Sequence, residues 1–128
     1  MTNELMSLTA VTVLTAIMWM PYVLNVIAVR GLKNAVGYPE DPEPMSGWAS
    51  KMKAAHSNAV ENLVVFAALV LIANAAGTST AATVIACQVY FWARVVHVLS
   101  YTFAVPWVRT LSFAAGFGCQ VVLALALL

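Results

Sequence analysis

A chain of 128 residues that is 62% hydrophobic and 9% charged, with a mean hydropathy of +0.88, falls far below the ~25% charged content of soluble domains and reads as a membrane protein. Six basic and five acidic side chains leave a net charge of +1, which gives no reason to expect a nucleic-acid partner. Cys87 and Cys119 both lie inside apolar runs and read as small buried hydrophobes rather than as a disulfide.

Residues 5–29 carry no charge and exceed the ~20 apolar residues that a membrane helix needs. The acidic Glu4, the lack of a basic leader and the length of the run predict a retained helix rather than a cleaved signal. Pro21 predicts a kink, because it removes one backbone donor and frees a carbonyl. Residues 30–53 form a connection whose text, NAVGYPEDPEPMSG, is rich in turn formers. A second span is expected at about 54–76, closed by Gly77-Thr78-Ser79, and a third at about 80–104. Pro106 marks the next turn, and a fourth span follows at about 109–128. The expected fold is an all-α integral membrane domain of four transmembrane helices, 1–128, with no internal repeat.

Four spans put both termini on one side and residues 30–53 on the other. That connection holds four of the six basic residues, and Arg109 lies at the other turn on the same side. By the positive-inside rule this side faces the cytoplasm and the termini face away.

AHSNAVEN, residues 55–62, places His56, Asn58, Glu61 and Asn62 at the head of the second span. Asn58, Glu61 and Asn62, at i, i+3 and i+4, share one helix face, whereas His56 points about 160° away from Asn58. Glu61 lies about 10 Å into the span, where an unpaired carboxylate is costly. The third span offers a cation: in YFWARVVHVLSY, Arg94, His97 and Tyr101 form a stripe at i, i+3 and i+7. Arg94 sits about 15 Å from its cytoplasmic end, further than snorkelling covers. A Glu61–Arg94 pair is therefore expected, within one subunit or across two. Arg109 and Thr110 open the fourth span at the same membrane face, so polar residues converge there and the termini-side halves of the spans read as nearly bare.

Each residue also has a bland reading. Intramembrane Asn and Glu glue helices together at about 0.6 kcal/mol per hydrogen bond. The two histidines are too far apart for a metal site. Lys51 and Lys53 read as headgroup anchors, and Trp48 and Trp107 as interfacial aromatics. Convergence outweighs these. Arg30, Asn58, Glu61, Arg94, His97, Tyr101 and Arg109 make an arginine-rich cluster, and guanidinium forks match carboxylates. The expected guest is a small anion with several carboxylates.

The sequence resembles the MAPEG family, membrane-associated proteins in eicosanoid and glutathione metabolism. AHSNAVEN is similar to the family's A-H-x-N-x-x-E-N on the second helix, and RVVHVLSY (94–101) to its R-x-x-H-x-x-x-Y on the third. PWVRTLSFAAGF resembles the start of the fourth helix, and YPED (38–41), with Arg30 ahead of it, the loop after the first. The resemblance covers nearly the whole chain. It implies a homotrimer that binds glutathione as co-substrate between neighbouring subunits at the cytoplasmic side. Carried over by position, the binding residues are Arg30, Asn58, Glu61, Arg94, His97, Tyr101 and Arg109. Glu61 would hold the amino group, and the arginines and His97 the carboxylates and backbone. Arg109, Thr110 and Tyr101 would be catalytic, with Arg109 and a neighbouring hydroxyl facing the sulfur and favouring its thiolate. Ala54 and Ser57 stand where family members often carry arginine, and Thr110 where some carry serine. The threonine hydroxyl can still donate to a thiolate, but the loss of the two cationic positions weakens anion binding and argues against specificity for a prostaglandin-type substrate.

A chain this short resembles the bacterial branch, which implies a multi-pass protein of the inner membrane. The implied activity is glutathione transfer to lipophilic electrophiles, or peroxidase action on hydroperoxides, that arrive through the bilayer. The alternative is a non-catalytic lipid-binding scaffold of the same fold, against which Tyr101 and Arg109 argue. A small transporter is disfavoured by the bare termini-side halves.

Overall fold

The computed structural model describes residues 1–128. Helices α1 (Asn3–Ile17) and α2 (Trp19–Arg30) together make one apolar rod of 28 residues, interrupted at Met18. The interruption lies beside Pro21, which has no N–H to give the Ile17 carbonyl four residues earlier. Met18 keeps right-handed helical dihedrals, φ −63° and ψ −24°, so the helical path continues through it. A short α3 (Leu32–Val36) follows, then three long helices: α4 (Gly47–Ala76), α5 (Ala81–Thr102) and α6 (Pro106–Leu127). The first rod, α4, α5 and α6 are each long and apolar enough to cross a membrane. The chain is thus an all-α protein with four helices capable of spanning a bilayer.

Helix α4 starts at Gly47, earlier than the 54 that hydropathy suggests. Charge sets where a span stops being apolar, not where a helix starts. At ~1.5 Å per residue its 30 residues reach about 45 Å, beyond the ~30 Å hydrocarbon core. Its first turns, carrying Lys51 and Lys53, therefore extend past the apolar layer.

Helix α5 packs against α1, α4 and α6 and holds the centre of the bundle. Toward the termini end, Val11, Phe66, Val70, Ala86, Cys87, Tyr90, Cys119 and Leu123 form the main core. Phe66 and Tyr90 stack within it, ring centroids 3.8 Å apart. Toward the loop end, Met18, Ala55, Ala59 and Val98 form a smaller core edged by Met52 and Tyr101. Both cysteines are free and buried. In lipid these cores hold by close van der Waals packing rather than by exclusion of water. Thr9, Thr12 and Thr15 donate to their own i−4 carbonyls at 2.7–2.8 Å, so these three hydroxyls are satisfied within the helix.

The termini end is less bare than the sequence suggests. Glu4, 4% exposed, accepts from Ser79 Oγ at 2.8 Å and Thr83 Oγ1 at 2.7 Å. Thr83 also forms a capping box with Thr80 at the start of α5, so one carboxylate ties α1 to the α4–α5 turn. At the opposite end, Asn25 Nδ2 donates to Ser46 Oγ (2.8 Å) and Asn25 Oδ1 accepts from Ser46 N (2.9 Å). Tyr22 Oη and His56 Nδ1 lie 2.7 Å apart. Together these bonds fasten α2 to the start of α4.

Helices α4 and α5 end in the same bonding pattern. Thr78 N donates to the Ala73 carbonyl and Gly77 N to that of Asn74; Val105 N donates to Ser100 and Ala104 N to Tyr101. This motif needs one left-handed residue. Gly77 supplies it at φ 70°, whereas Ala104 does so at φ 57° with a Cβ to accommodate, a strain of about 1 kcal/mol. Ala104→Gly should therefore raise the thermal midpoint in detergent, by about 1 kcal/mol of stability. A lowered midpoint would show that Ala104 is not strained.

Candidate functional site

Three helices bring their polar residues together on the loop-end side of the main core. On α4, Asn62 Nδ2 donates to the Asn58 carbonyl at 2.9 Å and to Asn58 Oδ1 at 3.3 Å. From α5, Arg94 Nη2 donates to the same Asn58 Oδ1 at 2.7 Å. From α6, Gln120 Nε2 donates to the Asn62 carbonyl at 3.2 Å. Gly116 faces this contact: a Cβ there would meet Tyr90 Cε2 at 3.6 Å and Arg94 Cδ at 3.9 Å, ordinary van der Waals distances.

Arg94 is 4% exposed, yet its side-chain partner is a neutral amide. Its Nε has no hydrogen-bond partner, and neither has Nδ1 of His97, which is 2% exposed. Unsatisfied buried polar atoms are rare in folded proteins and call for a reason. One turn on from Arg94, the His97 ring sits edge-on to Tyr101, centroids 5.7 Å apart, and 6.1 Å from Phe113. Arg109 Cζ stands 5.0 Å from the centre of the Tyr101 ring, within the range of a cation–π contact.

Asn58, His97, Tyr101, Arg109, Thr110 and Phe113 line a cavity of about 300 Å³. No acidic side chain lines it, and the Arg94 guanidinium stands behind Asn58. The Thr110 hydroxyl donates to the Pro106 carbonyl over a long 3.3 Å, a bond it can readily give up. The cavity thus offers a guanidinium, a phenol, a hydroxyl, an imidazole and an amide. That donor set suits an anion.

Five of the residues singled out in the sequence, Asn58, His97, Tyr101, Arg109 and Thr110, line the cavity, and Arg94 adjoins it. Two do not join them within the subunit. Arg30 Nε donates to the Glu43 carbonyl at 2.6 Å, in the connecting loop. Glu61 is exposed on the outer surface of α4, and the expected ion pair with Arg94 does not form inside one subunit. Helix geometry explains the difference: three residues turn Glu61 about 60° from Asn58, enough to carry it off the α5 side. Phe113 and Gln120 escaped the sequence reading, although the spacing 109, 113, 116, 120 along α6 marks one helical stripe.

The Asn58–Arg94 bond makes a stability prediction. Asn58→Ala strands a buried guanidinium, at about 1.5–3 kcal/mol, and should lower the thermal midpoint markedly. Asn62→Ala removes only a donor to Asn58 and should cost less. Equal losses in the two variants would mean that Arg94 does not depend on Asn58.

Comparison with curated proteins and with solved structures finds no match. A family model does match: the MAPEG family model aligns with residues 9–128. It takes in α4, α5 and α6 whole, the first rod from residue 9 onward, and every residue that lines the cavity. Membership of this family ties the chain to glutathione- or lipid-related metabolism as a multi-pass integral membrane protein. The chain belongs to the MAPEG family.

Proposed function

We propose that the protein is a membrane glutathione transferase, or a glutathione-dependent peroxidase, acting on lipophilic electrophiles or hydroperoxides. The observation that carries this is Arg94, buried in a bundle suited to lipid, with a neutral partner, an unpartnered Nε and an acid-free cavity beside it. A thiol peptide with two carboxylates complements that charge. Arg94 and His97 would hold carboxylate and backbone groups, with Asn58 as the neutral link. Arg109, stacked on Tyr101, would stand beside the sulfur with Thr110. A guanidinium there favours the thiolate, which is the nucleophile.

The proposed assembly is a homotrimer, and Glu61 supports it. A carboxylate exposed on a membrane-facing helix is costly until a neighbouring subunit or a ligand amine covers it. In this assembly Glu61 would meet the amino group of glutathione bound between subunits, and Arg30 would complete the site from the loop end. By the positive-inside rule, the loop end faces the cytoplasm, where the thiol is supplied, while the acceptor arrives through the bilayer.

Purified protein should conjugate glutathione to a chlorinated aromatic acceptor. Arg109→Ala should lower kcat about 100-fold, the scale of a lost transition-state donor, while changing the glutathione Kd far less. Equal losses in kcat and binding would remove Arg109 from the chemistry. Absence of any heat of glutathione binding at millimolar ligand would assign the cavity to a lipid-binding scaffold instead.

A further inference from the structure

At the termini end of the bundle, the buried Glu4 carboxylate is only half satisfied. Both hydroxyl bonds, from Ser79 and Thr83, go to its Oε1. Its Oε2 is closed to solvent and has no hydrogen-bond partner. Glu4 borders a cavity of about 110 Å³ that it shares with Thr2, Asn74, Gly77, Thr78 and Ser79. That lining is almost wholly polar and supplies oxygen donors: hydroxyls, an amide and backbone carbonyls. The cavity lies where α4 ends, and the carbonyl end of a helix carries partial negative charge. No Lys or Arg side chain stands here. The six are Arg30, Lys33, Lys51, Lys53, Arg94 and Arg109, and Arg94 lies about 20 Å along α5 from its first residue.

A buried carboxylate needs a positive partner or more donors than two hydroxyls supply. Protonation does not resolve this, because an O–H on Oε2 would face no acceptor. We infer that the cavity is a binding site for a small monovalent cation of the size of sodium. One carboxylate balances one charge. A divalent cation is commonly met by several carboxylates, and no three His, Cys, Asp or Glu side chains cluster anywhere in the chain. A bare sodium ion is smaller than a water molecule and can reach an oxygen that solvent cannot. Potassium, nearly as large as water, fits less well. A phospholipid ammonium would bring a phosphate, for which this end holds no basic side chain. The ion takes Oε2 of Glu4, and neutral oxygens of the lining complete its shell. It thereby locks the start of α1 to the α4–α5 turn. The site is separate from the cationic cavity and does not rest on the proposed activity.

Binding of radioactive sodium to purified protein, exchanged into choline chloride and read by scintillation proximity, tests the site directly. Binding should saturate at one ion per chain. Unlabelled sodium should compete about tenfold more strongly than potassium. Glu4→Gln keeps an acceptor for Ser79 and Thr83 but loses the charge, and should abolish binding. Absence of saturable binding, or saturable binding that survives in E4Q, overturns the site. Stronger competition by calcium than by sodium overturns the monovalent assignment.

A second measurement needs no variant. At constant ionic strength, replacing choline by sodium at about five times its Kd should raise the thermal midpoint by about 4 °C. Potassium at the same concentration should raise it less. Equal midpoints in sodium, potassium and choline would mean that water alone fills the cavity, and would overturn the inference. A sodium shift of the same size in E4Q would also overturn it, because the ion then binds elsewhere.

Discussion

The fold is organised around one guanidinium placed where lipid-embedded proteins rarely tolerate charge. Arg94 lies on the central helix, almost wholly buried, and its side-chain bond goes to the neutral amide of Asn58. An ionised group in that setting constrains everything near it. Helix α4 must present Asn58 toward α5, and α6 must come close enough for Gln120 to brace the Asn62 carbonyl. The same guanidinium biases the adjoining cavity toward an anion. His97, Tyr101 and Arg109 add donors in that cavity and no acid opposes them.

The two ends of the bundle solve the problem of polar groups in different ways. At the termini end, the Glu4 carboxylate takes hydroxyls from Ser79 and Thr83 and serves as a clip between helices. At the loop end, positive groups outnumber their acceptors, and two adjoining cavities open around Tyr101 and Arg109. The turns follow the same division. Gly77 closes α4 without strain, while Ala104 holds a left-handed conformation in the wall of one of these cavities. Strained residues of this kind tend to gather at functional sites.

Much of this was legible before any coordinates. Apolar runs mark the four spans, and Pro21 marks the interruption of the first. The stripe Arg94, His97, Tyr101 named the lining of the site from α5, and AHSNAVEN named its partner from α4. What spacing leaves open is rotation. Asn58 and Glu61 share a helix face, but a rotation of about 60° decides which of them meets Arg94, and only packing sets that angle. Hydropathy likewise gives the apolar span and not the start of α4, because Lys51 and Lys53 end the apolar run although helix continues through them. Glu4 reads in the sequence only as an acidic residue ahead of the first span, since nothing local points to hydroxyls 75 and 79 positions away.

The central claim is that the cationic cavity receives glutathione and favours loss of its thiol proton. The most direct measurement is the ultraviolet difference absorbance of purified protein on adding glutathione at neutral pH, where the free thiol is mostly protonated. A thiolate band that saturates with ligand, and is absent with S-methylglutathione, is the expected result. Saturable binding with no thiolate band would contradict the account.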